Sequence, residues 1–242
     1  MHEEARRIAA PLLAAVHRVP GREFRSCEIC HSSKDDAFDR CYRCNEGFRL
    51  LNGNVPRILP ITMSLERGQM HHALRDYKDG WDQTIRERFS WQIAGLVELF
   101  AAQHTECLGE FDVVTCIPSR KQRTAFEAVV TRLGRFRERY EPLLAVAGAD
   151  DSHTLSSGRF VAAGTARGRR VLILEDTFTT GASVFSATAA LRAAGAVVDT
   201  VLVVGRHMNP GYSHTTVLLD RMKGLQWVES DCVVCRPAET LF

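Results

Sequence analysis

The chain has no apolar run approaching the roughly 20 residues that a membrane-spanning helix needs, so it reads as a soluble protein with no membrane partner. It also lacks a large excess of either charge. Its 31 Lys and Arg against 29 Asp and Glu leave a formal charge of +2, which argues against a nucleic-acid footprint. The basic clusters at 132–139 and 167–170 are local and read as solvated surface. Neither G-x-x-x-x-G-K-[ST] nor G-x-G-x-x-G occurs, which excludes the P-loop and the dinucleotide fingerprint. The nine histidines are scattered apart from His71-His72, and no local motif suggests a Ser-His-Asp arrangement. Residues 8–16, behind Arg6 and Arg7, have the apolar character of a secretory signal. Glu3 and Glu4 lie in front of them, however, and no small-residue cleavage site follows His17-Arg18, so export is not expected.

What is present is enough hydrophobic residue, 45% of 242, for one sizeable domain with a small appendage. Six of the eight cysteines fall into three C-x-x-C pairs, which suggests metal or redox chemistry in a reducing, cytoplasmic setting. The run Cys27-x2-Cys30-x10-Cys41-x2-Cys44 lets two knuckles converge so that four thiolates surround one tetrahedral Zn²⁺. The loop between them, with Lys34, Asp35, Asp36 and Asp39, is too polar to fold by burial, and metal binding supplies the missing folding free energy. A site closed by four cysteines has no open position, so its expected role is structural. The third pair, Cys232 and Cys235, is open to three readings: a second metal site completed by histidines, a redox pair, or packing near the zinc module. Cys107 and Cys116 read as small core residues.

The strongest pattern lies at 170–195. Val171-Leu172-Ile173-Leu174 is a short apolar run with two β-branched members, Glu175-Asp176 ends it, and an Ala-rich segment closed by Gly195 follows. This reads as a buried parallel strand feeding a crossover helix. The turn between them, Thr177 to Ser183, combines hydroxyls with Gly181 where a helix leaves backbone N–H groups unpaired, a ready anion site. Two carboxylates beside an anion site need another purpose, and the vicinal hydroxyls of a sugar or a divalent cation would provide one.

An apolar strand, an acidic pair and a Thr-Thr-Gly turn in this order resemble the signature of the type I phosphoribosyltransferases. The first acid here is Glu rather than the commoner Asp. The resemblance implies that Glu175 and Asp176 are the catalytic-site acids meeting the ribose hydroxyls of phosphoribosyl pyrophosphate. It also implies that Thr177, Phe178, Thr179, Thr180, Gly181, Ala182 and Ser183 wrap the 5′-phosphate. At 111–118 a second buried strand is expected, followed by Ser119, Arg120 and Lys121, which in the resembling family correspond to the pyrophosphate loop. A polar stretch at 147–158 corresponds to the family's flexible lid.

Residues 55–65, punctuated by Pro56 and Pro60, suggest edge-type extended structure, and a short helix closing on Tyr77-Lys78 and Gly80 follows. A proline-containing strand and such a helix after a zinc finger are similar to the ComF-like group of that family. The remaining expectations are a helix at 3–18 kinked or divided by Pro11, a sheet-covering helix at 124–140, and strands at 143–146, 197–204 and 215–219. The expected architecture is therefore α/β: a type I phosphoribosyltransferase fold with a parallel sheet of about five strands flanked by helices, and a small zinc module. Its division is 1–52 for the N-terminal helix and zinc module, 53–220 for the phosphoribosyltransferase domain, and 221–242 for a tail near the zinc module.

The function implied by the resemblance is Mg²⁺-dependent transfer of a phosphoribosyl group to an amine or nucleobase nitrogen, with Zn²⁺ as a structural ion. The alternative is a binding protein that senses phosphoribosyl pyrophosphate or a nucleotide at the same site, since ComF-like proteins are associated with DNA uptake. The acceptor and its general base have no local signature, and the sequence is compatible with a homodimer.

Overall fold

The computed structural model describes residues 2–119, 124–132, 134–147 and 155–235. Its elements are α1 (His2–Leu13), α2 (Tyr42–Leu50), β1 (Arg57–Leu65), α3 (Gln69–Asp79), α4 (Gln83–Gln103), α5 (Thr105–Leu108) and β2 (Val113–Cys116), then α6 (Ala125–Arg132), α7 (Gly134–Arg137), β3 (Leu144–Val146), β4 (Phe160–Ala162), β5 (Val171–Phe178), α8 (Ala182–Ala193), β6 (Thr200–Met208) and α9 (Ser213–Arg221). Strands β1, β6, β5 and β2 lie in that order and pair in parallel throughout.

The apolar runs of these strands divide between two cores by simple alternation. Leu59, Ile61, Val114, Cys116, Leu172, Leu174, Leu202 and Val204 join α1, α3, α4 and α6 on one face. Ile58, Val113, Val171, Ile173, Val201 and Val203 join α8 and the cysteine module on the other. Because both faces are covered, the strands read as continuous hydrophobic runs rather than as a polar–apolar alternation. The expected α/β class, with a parallel sheet flanked by helices, is the observed one. Among the described residues no helix is long and apolar enough to cross a membrane.

Several local expectations change. Among the described residues the main sheet has four strands, because β3 pairs antiparallel with β4 in a separate ribbon. Residues 215–219 are helical, inside α9: only Thr215 and Leu218 bury, three residues apart, while Val217 is 45% exposed, which is a helical stripe and not a strand. Pro11 does not divide α1, since the helix ends two residues later and little of the hydrogen-bond ladder lies beyond it. The helix expected at 124–140 is described over Ala125–Arg132 (α6) and Gly134–Arg137 (α7), ending three residues early, with residue 133 outside the described residues. Pro60 is tolerated in β1 because that strand is at the edge of the sheet.

Candidate active site

Glu175, Asp176 and Thr177 occupy the carboxyl end of β5, a central strand of the parallel sheet, where ligands of open α/β folds bind. The chain then turns through Thr179 and Thr180 to Gly181, which has φ of +81° and stands immediately before α8. A Cβ at Gly181 would lie 2.5 Å from Phe178 and 2.6 Å from Phe185, so both the backbone angle and the space require glycine here. The turn is held from beneath by Phe178, fully buried and edge-on to Phe185 at 5.8 Å between ring centroids. Phe178 and Ala182 are buried, so their contribution to a ligand is limited to backbone groups. The hydroxyl of Thr180 accepts from the Ala182 N–H at 3.4 Å, an arrangement typical of a helix entry.

Asp176 is gripped by two residues from the end of α3. The Tyr77 hydroxyl donates to Asp176 Oδ2, and Lys78 Nζ lies 2.6 Å from the same oxygen. Burial, reinforced by the Asp176 charge, raises the Tyr77 hydroxyl well above its usual range and keeps it a donor. Among the described residues Glu175 has no such grip. Loss of water around it, and the neighbouring Asp176 charge, raise its carboxyl well above the ordinary range, against the opposing pull of Lys78 and Arg159. The two acids are thus unlike: Asp176 is an oriented, cation-paired carboxylate, whereas Glu175 is a carboxyl that gains by finding a hydrogen-bond donor.

On the adjacent strand, the buried Arg206 guanidinium donates to the Phe178 carbonyl at 2.9 Å and to the His207 carbonyl, and its other nitrogen lies 3.5 Å from Cys30 Sγ. It ties the turn after β5 to the N-terminal cysteine cluster. Ser119 stands just past the carboxyl end of β2, next to β5. Arg120 and Lys121 lie outside the described residues, as do residues 148–154 of the 147–158 stretch.

The cluster itself is assembled from two unlike halves. Cys27 and Cys30 sit on a tight loop whose next residue, His31, has φ of 59°, and the Cys41 N–H points at Cys27 Sγ at 3.4 Å. Cys41 is the N-cap of α2 and Cys44 lies in its first turn, where the helix dipole favours thiolates. All four sulfurs lie within 4.8 Å of one another and could hold a metal ion. The Cys30–Cys41 separation is 3.8 Å, the edge of about 3.8 Å that Zn–S bonds of about 2.3 Å give in a tetrahedron. Hydrogen bonds from Cys27, Cys41 and Cys44 hold the Cys30 thiol well below its usual range, with Arg206 adding to the effect, while the same sharing raises Cys44 well above. The module is seated on α8 through Gly47, where a Cβ would lie 2.2 Å from the Phe185 ring.

Sequence reasoning placed the acids, the turn and the four cysteines, and it noted Tyr77-Lys78 without assigning them to the site. Those two are 99 and 98 residues from Asp176, and no local pattern links them to it. Arg206 had a readable signal: an arginine directly after a β-branched run and Gly205, at the carboxyl end of a parallel strand. Two cavities of about 600 and 630 Å³ open beside the cysteine module, and neither is lined by Glu175, Asp176 or the turn.

No protein-family model and no curated protein matches this chain. Among solved structures it is similar to a phosphoribosyltransferase from Corynebacterium diphtheriae, at 20% identity and a TM-score of 0.36, covering 58% of this chain and 92% of that one. It is also similar to the orotate phosphoribosyltransferase of Mycobacterium tuberculosis H37Rv, at 19% identity and a TM-score of 0.33, covering 49% of this chain and 73% of that one.

Proposed function

We propose that this chain is a phosphoribosyltransferase of the ComF-like group, which binds phosphoribosyl pyrophosphate with Mg²⁺ and transfers the phosphoribosyl group to an amine or nucleobase nitrogen. The observation that carries the reading is the seat of Asp176. A carboxylate oriented by Tyr77 and Lys78 stands at the carboxyl end of a central parallel strand, directly ahead of a Thr-rich, left-handed turn into a helix N-terminus. This is the juxtaposition that a phosphorylated sugar needs: acceptors for vicinal hydroxyls, and N–H donors for a phosphate a few residues on.

In this reading Asp176 and Glu175 accept from the ribose hydroxyls, and Thr177 to Ser183 enclose the 5′-phosphate. Ser119, Arg120 and Lys121 meet the pyrophosphate. Tyr77 and Lys78 are positioning residues that fix Asp176. The acceptor nitrogen attacks the anomeric carbon, the bond from that carbon to the pyrophosphate oxygen breaks with its electron pair, and the nitrogen sheds a proton. The protein's contribution is orientation and fixed charge around a sugar that becomes cationic as the leaving group departs. Asp176 is already paired with Lys78, so the natural ligands of Mg²⁺ are the diphosphate oxygens, whose charge it would offset. Cys27, Cys30, Cys41 and Cys44 would hold one structural Zn²⁺ in the segment 1–52, which precedes the catalytic domain 53–220 and the tail 221–242.

The test is a screen of amines and nucleobases for pyrophosphate release from phosphoribosyl pyrophosphate and Mg²⁺, run alongside calorimetric binding of the same compound. Release with one acceptor class supports the enzyme. Binding without release for any acceptor supports the sensor instead, and absence of binding overturns both.

A further inference from the structure

A second cluster of metal-binding side chains lies on the opposite face of the sheet from the first. His104 caps the end of α4, Cys107 lies in α5, and Cys232 and Cys235 come from the segment after α9. One ligand atom from each falls within 4.8 Å of the others. Cys232 Sγ is 3.6 Å from Cys107 Sγ and 3.4 Å from Cys235 Sγ, and Cys235 Sγ is 3.4 Å from His104 Nδ1. These separations approach the edges of about 3.6–3.8 Å that a tetrahedron with Zn–S of about 2.3 Å and Zn–N of about 2.0 Å would have. We propose that His104, Cys107, Cys232 and Cys235 form a second structural zinc site, which latches the segment after α9 onto the end of α4.

The imidazole decides between the readings that the sequence left open. His104 is buried, its ring lies tilted against Phe100 with centroids 4.3 Å apart, and its Nε2 is 3.0 Å from the Glu229 carbonyl. A carbonyl can only accept, so Nε2 carries the hydrogen and the lone pair of Nδ1 points at the thiols. A histidine whose outer nitrogen is fixed by a backbone carbonyl while the inner one faces three sulfurs is the arrangement of a zinc ligand with its supporting hydrogen bond. A redox pair would need only Cys232 and Cys235, and simple packing would need no oriented imidazole. The spacing supports the same conclusion: H-x2-C at 104–107 and C-x2-C at 232–235 are the two halves of a Cys3His site. Soft thiolates with one imidazole select zinc among the common divalent ions. Cys107 is therefore more than the small core residue that its isolation in the sequence suggested.

The segment that supplies the two distal cysteines is also held by other means. Glu229 pairs with His2 at 3.1 Å and with Arg6, Asp231 lies 3.4 Å from Arg18, and Trp227 and Val233 pack against the core beneath α4. The metal would close a latch that these part-buried ion pairs and apolar contacts already hold in place.

The experiment compares the full chain, purified anaerobically without chelator, with its Cys232→Ser/Cys235→Ser variant by elemental analysis. The expected difference is one zinc per chain, whatever the occupancy of the N-terminal cluster, and the His104→Cys variant should retain the parent's zinc. Equal zinc in parent and double variant overturns the proposal, as does recovery of Cys232 and Cys235 from the native protein as a disulfide. If the double variant does not fold, alkylation of the parent decides. Cys235 is exposed, so as a free thiol it would label at once. Protection that disappears on adding a chelator is the expected result, and labelling equally fast with and without chelator overturns the site.

Discussion

The two cysteine clusters are alike in donor chemistry and opposite in how the fold builds them. The N-terminal one takes its four sulfurs from an 18-residue stretch, 27–44, and so closes a short loop. The other joins Cys107 to Cys232 across 125 residues, so it can form only after the whole sheet has brought its halves together. Their outlooks differ too. The first shares a core with α8 and the underside of the turn after β5, and Arg206 bridges Cys30 to the Phe178 carbonyl within that turn. The second faces α4 in the core that also holds Tyr77, and among the described residues no hydrogen bond ties it to the turn. A metal cluster's importance for a binding site thus follows from which core it belongs to and not from its ligand count.

The largest effect that sharpens this contrast should come from Cys41→Ser. Structural zinc is worth about 10–16 kcal/mol in small zinc-finger peptides. Losing a ligand should therefore remove about one zinc, lower the melting temperature by about 10 °C or more, and weaken phosphoribosyl pyrophosphate binding through the slackened turn. Thermal melts, metal analysis and calorimetry on one preparation check all three. The Cys232→Ser/Cys235→Ser variant is the counterpart: it should keep the affinity within about twofold, and an equal loss of affinity in both variants would end the distinction between the clusters.

Next in size is Asp176→Asn, which leaves both clusters intact and acts on the ligand directly. Replacing a charge-assisted acceptor should cost about 1.5–3 kcal/mol, or about ten- to a hundredfold in calorimetric affinity. The residue also loses its pairing with Lys78, whose partner Asp176 has a side chain only 13% exposed. A modest fall in melting temperature should accompany the loss.

The smallest effect is expected from Glu175→Gln. A carboxyl raised in the folded state binds its proton more tightly there than in the unfolded chain. Its burden on stability is therefore absent below the unfolded value, near pH 4, and grows as pH rises through the folded value. The variant should melt with the parent near pH 4 and a few degrees above it at pH 7, while binding phosphoribosyl pyrophosphate less well. A parallel pair of melting curves at the two pH values would show this, and a variant less stable at pH 7 would contradict it.

Much of this was legible in the sequence where a local rule sufficed. Val171 to Leu174 declared a strand covered on both faces, Gly181 marked a turn that no other residue fits, and the paired spacing of Cys27, Cys30, Cys41 and Cys44 announced their convergence. What stayed hidden depended on distance along the chain. Nothing near Tyr77 and Lys78 says that they close on Asp176, and Cys107 looked solitary because its three companions are set by the path of α4 and of the segment after α9. The error at 215–219 has a different origin: three β-branched residues followed by two leucines look like a strand until burial shows a three-residue spacing.

The pairing of Glu229 with His2 and Arg6, and of Asp231 with Arg18, also fixes an order of events during synthesis. A chain made from its N-terminus has α1 in hand throughout, yet the charges that clasp it are translated after every strand of the sheet. Until then α1 can rest on α4 through its apolar face and the contact of His2 with Gln103, while His104 and Cys107 lack their two partners from the segment after α9. The clasp is consequently supplied after every strand that it helps to cover, and a chain that stalls before residue 229 lacks the charges that close the seam along α4.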